Sequence, residues 1–352
     1  VDTYLDWSPW GGFQRAAEMC NNNGACRKSN PDVMCPSYRV TQDEQHLTRG
    51  RANALRLALS GQLGTRALTS KSMYETMRLC VGCKACAREC PTGVDMTRMK
   101  SEFLHHYQQE HGVKLRDRIF ANLPRHAPLL SKFAPLLHLR DRIPGLAQIS
   151  ENLLGIQGNR KLPEWSSSPF RDEEVTSQPG EKTVVLFTDT FGTWFEPQGL
   201  RDAVTVLQNS GYEVQALGAS SSSSRLCCGR TYLSSGLLRE ARQEALKVIG
   251  RLHKFVESGI PVVGLEPSCM FTIRDDYPSL VPSSDSEALA SHVQLLDEFL
   301  FQEHQKGQLK LPLRKISQEK IWVHGHCHQK AANATSSTLG ICLLYTSDAA
   351  DE

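Results

Sequence analysis

Cysteine spacing constrains this chain more than any other feature of its 352 residues. The run CVGCKACARECP places Cys80, Cys83, Cys86 and Cys90 at the C-x2-C-x2-C-x3-C-P spacing of bacterial ferredoxins. In that arrangement three cysteines hold one cubane cluster and the fourth reaches a neighbouring cluster. Zinc is the alternative metal, but the closing Cys-Pro is typical of iron–sulfur ligation. The run therefore predicts a [4Fe-4S] site.

An altered copy of this run lies nearer the start. In CNNNGAC, Cys20 and Cys26 stand at the first and third ligand positions and Asn23 stands at the second, while MCPSYR supplies Cys35 before a proline. Crossing of the ferredoxin type gives one cluster four ligands and leaves three for the other. The two predicted sets are Cys80, Cys83, Cys86 and Cys35, and Cys20, Cys26 and Cys90. The second set suits a three-iron cluster, a four-iron cluster with an outside ligand, or a zinc or metal-free loop.

Twelve cysteines without a secretory leader indicate a reducing compartment, where clustered thiols bind metal rather than pair as disulfides. The opening residues VDTYLDWSPWGG lack both a basic and an apolar segment. No apolar run approaches the roughly 18 residues of a membrane span. A net charge of +2 gives the chain no general attraction for nucleic acid. We therefore expect a cytoplasmic protein without a nucleic-acid partner.

Residues 1–112 hold seven cysteines and short helical patterns. In RANALRLALSG, Ala52, Leu55 and Leu59 fall on one helical face, and Gly61 follows where a helix-ending glycine belongs. The pattern predicts a small all-α ferredoxin-type domain, an alpha-helical ferredoxin organised around two clusters.

Residues 113–182 predict a helical connector and linker, because prolines interrupt the apolar pairs. From residue 98 to 161 there are eleven Lys and Arg against five Asp and Glu, a local balance of +6. Such a surface suits an acidic partner protein or anionic lipid, so peripheral association with the inner face of a membrane is one interpretation. A solvated helical connector is the other.

Residues 183–341 alternate strand and helix patterns. The β-branched runs that predict strands are Thr183–Thr188, Tyr212–Leu217, Ile260–Glu266 and Lys320–Gly325. Between them, LLREARQEALKVIGRLHKFVE and ALASHVQLLDEFLFQEHQ predict helices. This order predicts an open α/β parallel sheet with crossover helices.

The tail CLLYTSDAADE, residues 342–352, resembles translated sequencing-adapter DNA rather than protein. The tail is therefore no part of the fold prediction, and we expect no ligand role for Cys342.

Reactive side chains follow the predicted strands. Because the carboxyl ends of parallel strands meet at one edge of a sheet, we expect a single metal or redox site there. Soft and borderline ligands gather in these loops, and the predicted metal residues are Cys227, Cys228, Cys269, Cys327 and His326. Each cysteine taken alone is equally compatible with core packing.

The HGHCH run sets a condition on that site. An extended backbone turns His324, His326 and His328 to one face and Cys327 to the other. A shared site therefore requires a bend at Gly325 or just after it.

Together these runs resemble the C-terminal iron–sulfur half of bacterial FAD-linked oxidoreductases of the D-lactate, glycolate and D-2-hydroxyglutarate dehydrogenase type. The resemblance rests on MCNNNGACRK, MCPSYRVTQDEQHLTRGRANALRLALSG, CVGCKACARECPTGVDMTRMKSE, CCGR, GLEPSC and HGHCHQKA. It implies an N-terminal flavin domain, absent from this sequence, that binds FAD and oxidises a 2-hydroxy acid. It also implies clusters that pass electrons to a quinone, a cytochrome or another acceptor. Residues 1–13 would then end the linker after the flavin domain.

The α/β region is similar to the CCG domain also found in heterodisulfide reductases. That pattern has five cysteines, of which this chain keeps three: Asp189 stands at the first and Glu266 at the fourth. A second repeat starting at Cys327 would be cut by the tail, so the resemblance implies a truncated domain. Two alternatives stay open. One is an iron–sulfur subunit of a heterodisulfide-reductase-like or anaerobic glycerol-3-phosphate dehydrogenase complex, and the other is a zinc-stabilised structural module.

Overall fold

The computed structural model describes residues 1–28, 34–176, 178–219, 225–311 and 321–345. The first part is helical, as predicted, with α1 (Phe13–Glu18), α2 (Pro36–Thr41), α3 (Thr48–Leu59), α4 (Lys71–Arg78), α5 (Ala85–Glu89) and α6 (Met96–His111). Helix α3 buries Ala52 and Leu55 completely, and Gly61 follows it with a φ of +79°. The predicted apolar face and helix end are therefore confirmed.

The connector consists of short helices that stop and restart, as the prolines predict. They are α7 (Leu115–Ala121), α8 (Leu123–Leu130), α9 (Ala134–Leu137), α10 (Leu139–Arg142) and α11 (Leu146–Leu154). Pro124 and Pro135 lie in the first turns of α8 and α9, where the missing N–H removes no helical hydrogen bond. Within the described ranges, no helix is both long and apolar enough to cross a bilayer.

A parallel sheet with strand order β2-β1-β3-β4 forms the other part. Its strands are β1 (Lys182–Phe187), β2 (Tyr212–Leu217), β3 (Val262–Gly264) and β4 (Val293–Leu295). The helices around it are α12 (Thr190–Trp194), α13 (Pro197–Asn209), α14 (Arg230–Ser234), α15 (Leu238–Glu257), α16 (Pro267–Phe271), α17 (Tyr277–Leu280), α18 (Ser284–His292), α19 (Leu296–Gln305), α20 (Cys327–Ala332) and α21 (Thr335–Tyr345). The first three strands are confirmed near their predicted positions.

The predicted fourth strand at Lys320–Gly325 is wrong. Residues 321–325 form no strand, Lys320 lies outside the described residues, and Trp322 is 92% exposed. The fourth strand, β4, comes instead from within the segment predicted as one helix, which splits into α18, β4 and α19. Strand β4 has only three residues, which is too short to show the alternating apolar pattern that distinguishes a strand from a helix.

One buried apolar cluster includes residues of both parts, such as Phe103 of α6 and Tyr232 of α14. Gly236 permits this close packing, because a Cβ there would lie 2.4 Å from the Cβ of Leu104. A buried ion pair also joins the two parts: Lys84 Nζ lies 2.7 Å from Asp276 Oδ2. The loop before α5 is therefore held by the α/β part as well as by its own helices.

Candidate iron–sulfur site

Four cysteines from two distant runs line one small cavity. Cys80 and Cys83 lie in the loop before α5, Cys86 lies in α5, and Cys35 reaches the cavity from the N-cap of α2. This is the set that crossed ferredoxin-type pairing predicts. All but Cys80 are buried.

Positive backbone angles shape the loop that carries these thiols. Gly82 has a φ of +66° and Lys84 a φ of +62°, so the chain turns back on itself between ligand positions. Cys35 also adopts the left-handed region, with a φ of +54°. Such strained non-glycine conformations are typical of functional loops that surrounding packing holds in place.

Backbone donors point at the sulfurs. The Met96 N–H donates to Cys86 Sγ over 3.3 Å, and the Thr48 N–H donates to Cys35 Sγ over 3.2 Å. The Thr48 hydroxyl oxygen lies 3.1 Å from Cys35 Sγ. Hydrogen bonds of this kind stabilise a thiolate, which is the form that binds a metal cluster. The cavity is therefore chemically suited to cluster ligation.

Burial favours the protonated form of three of these thiols, Cys35, Cys83 and Cys86. Burial raises the pKa of Cys83 to about 11 and raises that of Cys86 well above its usual value. Burial also raises the pKa of Cys35, although its bonds with Thr48 oppose the shift. Binding a cluster must therefore release protons from these residues.

Two cations near the thiols, the buried Arg51 and the half-buried Lys100, escaped the sequence-based prediction. Arg51 lines the cavity, is 2% exposed, and donates to Thr76 O and Ser37 Oγ over 3.0 Å each. Lys100 Nζ donates to Cys80 O, and burial lowers the pKa of its ammonium group. Each cation lies one helical turn after a buried apolar residue: Arg51 follows Leu47, and Lys100 follows Met96. This spacing of four residues was the available sequence signal.

The second predicted set has donors but no described cavity of its own. Burial raises the pKa of Cys90, but bonds from the Thr92 hydroxyl and nearby backbone N–H groups lower it more, so the net shift is downward. Cys20 Sγ lies 4.0 Å from Asn22 Oδ1. Burial raises the pKa of Cys26, opposed by the Arg49 N–H. No hydrogen bond between described residues joins these three thiols.

Asn23 stands at the position of the missing ligand, and its side chain stabilises the turn of the loop. Its side-chain oxygen accepts from the Ala25 N–H over 2.8 Å, and the residue is exposed. A local turn bond of this kind is an ordinary role for asparagine. This loop therefore presents two cysteines and a turn residue where the second run presents three cysteines.

Three thiols of the α/β part gather at the carboxyl edge of the sheet. Cys228 Sγ donates to Cys269 Sγ over 2.9 Å, and Cys227 bonds to Cys228. That bond and burial raise the pKa of Cys227, while burial raises the pKa of Cys269 to about 12 against the lowering effect of Cys228. Two sulfurs on one tetrahedral metal would lie about 3.8 Å apart, given metal–sulfur bonds near 2.3 Å. The observed distance of 2.9 Å is shorter than this spacing.

The two carboxylates that replace cysteines of the CCG pattern lie beside these thiols. Asp189 caps α12 through bonds from the Phe191 and Gly192 N–H groups, and Glu266 caps α16. Burial, helped by Glu266, raises the pKa of Asp189 to about 6. Its Oδ2 has no partner among the described residues. Both acids also act on Cys269, whose pKa they raise further.

Cys327 and His326 line a second cavity together with Cys83, His328 and Ser268. Cys327 is exposed. The chain bends just after Gly325, because His326 is the N-cap of α20 and Cys327 begins that helix. No hydrogen bond between described residues joins Cys327 or His326 to the three thiols, and a site shared by all five residues stays a prediction.

In the described ranges, no three Cys, His, Asp or Glu side chains stand at the spacing that holds a single metal ion. A cubane cluster requires a different arrangement of ligands, because each of its four thiolates binds a separate iron.

A family model described as a 4Fe-4S dicluster domain matches residues 16–94. That segment contains both cysteine runs. Both runs therefore lie in a segment that is similar to 4Fe-4S dicluster domains.

Curated relatives extend the likeness beyond the cysteine runs. The chain is 24% identical to D-2-hydroxyglutarate dehydrogenase of Escherichia coli K12, over 90% of this chain and 35% of that protein. It is 26% identical to the Pseudomonas putida protein of the same name, over 79% of this chain and 31% of that protein. It is also 27% identical to one subunit of the anaerobic glycerol-3-phosphate dehydrogenase of E. coli K12, over 64% of this chain and 56% of that protein.

These matches confirm the predicted resemblance to the iron–sulfur half of an FAD-linked oxidoreductase. The chain spans about a third of the length of the D-2-hydroxyglutarate dehydrogenases it matches. No solved structure matches it.

Proposed function

We propose that this chain is the electron-transfer module of an FAD-dependent 2-hydroxy acid dehydrogenase. The observation that carries the proposal is the convergence of Cys35 on the cavity of Cys80, Cys83 and Cys86. A [4Fe-4S] cluster held by these thiols supplies one-electron transfer between a flavin and an acceptor. In the proposal FAD belongs to an N-terminal flavin domain, which acts on the 2-hydroxy acid.

The residues around the cavity have separate tasks in this proposal. The four thiolates hold the cluster, and the Met96 and Thr48 N–H groups stabilise the sulfur charge. Arg51 and Lys100 add positive charge and favour the more negative, reduced state. The second set, Cys20, Cys26 and Cys90, would hold a second cluster.

A second candidate is an iron–sulfur subunit of a separate dehydrogenase complex. It is favoured by the likeness to the anaerobic glycerol-3-phosphate dehydrogenase protein, of which the chain covers a larger share than of the D-2-hydroxyglutarate dehydrogenases. The two candidates differ in gene structure, because only the first requires a flavin domain in the same reading frame. Reading the DNA upstream of residue 1 decides between them.

Metal analysis of the anaerobically purified chain tests the proposal directly. We expect a brown protein whose broad charge-transfer band bleaches with dithionite, with about four irons and four acid-labile sulfides for each occupied cluster. The matched control is protein treated with an iron chelator, which should be colourless and free of sulfide. A colourless purified chain containing stoichiometric zinc and no iron would show that the cysteines form a structural zinc module instead.

Removing the half-buried cation Lys100 should shift the reduction potential of the cluster. Lys100→Met keeps the length of the side chain but deletes an ammonium group bonded to Cys80 O. The loss is worth about 1–2 kcal/mol at an effective dielectric near 20, or roughly 40–90 mV for a one-electron couple. We expect a more negative midpoint in a redox titration followed by EPR. The exposed Lys132→Met is the control, and an equal midpoint in both variants would contradict the role given to Lys100.

A further inference from the structure

A groove of about 460 Å³ lies between the cluster loop and the α/β part. Val81 and Cys83 line both this groove and the small cavity of the four cysteines. Only the loop that carries the ligands therefore separates the two spaces. A molecule in the groove would lie within a few ångströms of the protein atoms that hold the cluster.

The surface of the groove is mostly apolar, although Thr231, Ser234, Ser235 and Ser268 also line it. Val81 is 65% exposed and Phe120 40% exposed, and Leu123 and Phe191 contribute further apolar surface. Exposed apolar side chains grouped around a cavity of this size are typical of sites for small ligands with rings. The one guanidinium in the wall, that of Arg230, lies 3.5 Å from Asp276 Oδ2 and donates to Gly82 O, so its charge is already matched. The groove therefore suits an uncharged ligand better than a phosphate-bearing one.

Two histidines supply polar groups of opposite kind. His326 Nδ1 accepts from the His328 N–H over 3.1 Å, so a neutral ring carries its proton on Nε2 and can donate. His328 Nε2 lies 3.0 Å from Gly82 O and must donate to it, which leaves Nδ1 as an acceptor. His328 is 5% exposed, and its Nδ1 has no partner among the described residues. A buried acceptor without a donor is costly, and a ligand hydroxyl would satisfy it.

We propose that this groove binds a quinone as the electron acceptor of the chain, with His326 donating to a carbonyl oxygen and His328 Nδ1 accepting from the hydroxyl of the reduced form. This inference rests on the proposed function and names its acceptor. Reduction of the quinone to the quinol takes two electrons, which derive from oxidation of the 2-hydroxy acid, and two protons, which come from solvent through the open groove. Donor, acceptor and apolar walls match the two oxidation states of a quinone ring.

Calorimetric titration of the anaerobically purified chain with decylubiquinone tests the site without relying on turnover. We expect saturable binding at one site per chain. Leu123→Glu, which places a charge in the groove, and His326→Ala should each raise the dissociation constant at least tenfold. Leu136→Glu makes the same substitution at a 63% exposed leucine of the connector, outside the groove, and should bind like the wild type. Iron content and circular dichroism of each variant show whether the fold persists.

The outcomes separate this inference from the proposed function. A chain with iron and sulfide that binds no decylubiquinone overturns the groove and leaves the electron-transfer module intact. Equal weakening by Leu123→Glu and Leu136→Glu also overturns it, because it indicates nonspecific partitioning on apolar surface. A chain that binds no decylubiquinone but binds a soluble cytochrome, with Leu123→Glu weakening that binding, assigns the groove to a protein acceptor and overturns the proposal. Binding that only the groove variants weaken supports the site even if iron analysis contradicts the proposed function.

Discussion

Replacing Cys83 by serine is expected to abolish the low-potential cubane signal of the reduced chain. Cys83 is one of the four thiols that line the cluster cavity. A serine hydroxyl loses its proton far less readily than a thiol and is a harder ligand, so it cannot replace a thiolate in this buried position. EPR of the dithionite-reduced protein, with iron and sulfide analysis, should show a loss of about four irons per chain.

Cys20→Ser is the matched control, because it makes the same change in the other predicted ligand set. We expect it to alter only a second, weaker or three-iron signal and to leave the cubane signal in place. Loss of every iron signal in Cys20→Ser would show that the two sets do not hold separate clusters. A full cubane signal in Cys83→Ser would refute the ligand set itself.

Glu102→Ala is expected to lower the free energy of unfolding by about 3–5 kcal/mol. The Glu102 side chain is fully buried in α6 and accepts from the N–H groups of Tyr4 at 2.8 Å and Leu5 at 2.9 Å. It also accepts from the Trp7 indole at 3.1 Å, and His106 Nε2 lies 3.2 Å away. Alanine would leave these donors in the core without a partner. Urea denaturation followed by tryptophan fluorescence measures the difference.

The effect should depend on pH in a defined direction. Burial by itself raises the pKa of Glu102, but the adjacent His106 ring and the bonds from the Tyr4, Leu5 and Trp7 N–H groups lower it below its usual value of 4.5. A carboxyl group with a lowered pKa stabilises the fold above the unfolded-state pKa, and the contribution is lost as the pH falls through the folded-state pKa. The two unfolding curves should therefore converge in acid.

Glu110→Ala, at the exposed end of the same helix, is the control and should change stability by no more than about 0.5 kcal/mol. A Glu102→Ala chain as stable as this control at neutral pH would show that the buried carboxylate does not anchor residues 4–7.

Ligand spacing is local, and for that reason much of the cluster site could be predicted from the sequence. The two Cys-Pro endings indicated that Cys35 pairs with the later run, and the structure brings these residues to one cavity. The first three strands could be predicted because each contains several consecutive apolar residues flanked by turns. Strand β4 could not, since three residues within a helical pattern carry no distinct period.

The cations near the thiols and the path of the HGHCH run depend on tertiary packing, so they could not be predicted from the sequence. Arg51 and Lys100 are ordinary surface residue types, and only the packing of α3 and α6 buries Arg51 and half-buries Lys100 beside the thiols. Likewise, the HGHCH run predicts a strand end by composition, but the chain enters α20 at Cys327 and carries its histidines to the cluster loop. The bend after Gly325 thus places His326 and His328 beside the groove, where the sequence predicted the end of a strand.

The buried contact of Lys84 with Asp276 has a consequence for synthesis on the ribosome. The two residues are 192 positions apart, so translation at roughly 5–20 residues per second separates their appearance by ~10–40 s. During that interval the ligand loop has left the ribosome, but Lys84 is still hydrated. The left-handed turn at this residue is not yet packed against the α/β part. A cluster inserted early would bind a loop that is not yet packed against the α/β part. A cluster inserted late would have to enter a loop that is already packed. The timing of cluster insertion relative to translation therefore affects how readily the protein acquires its cluster.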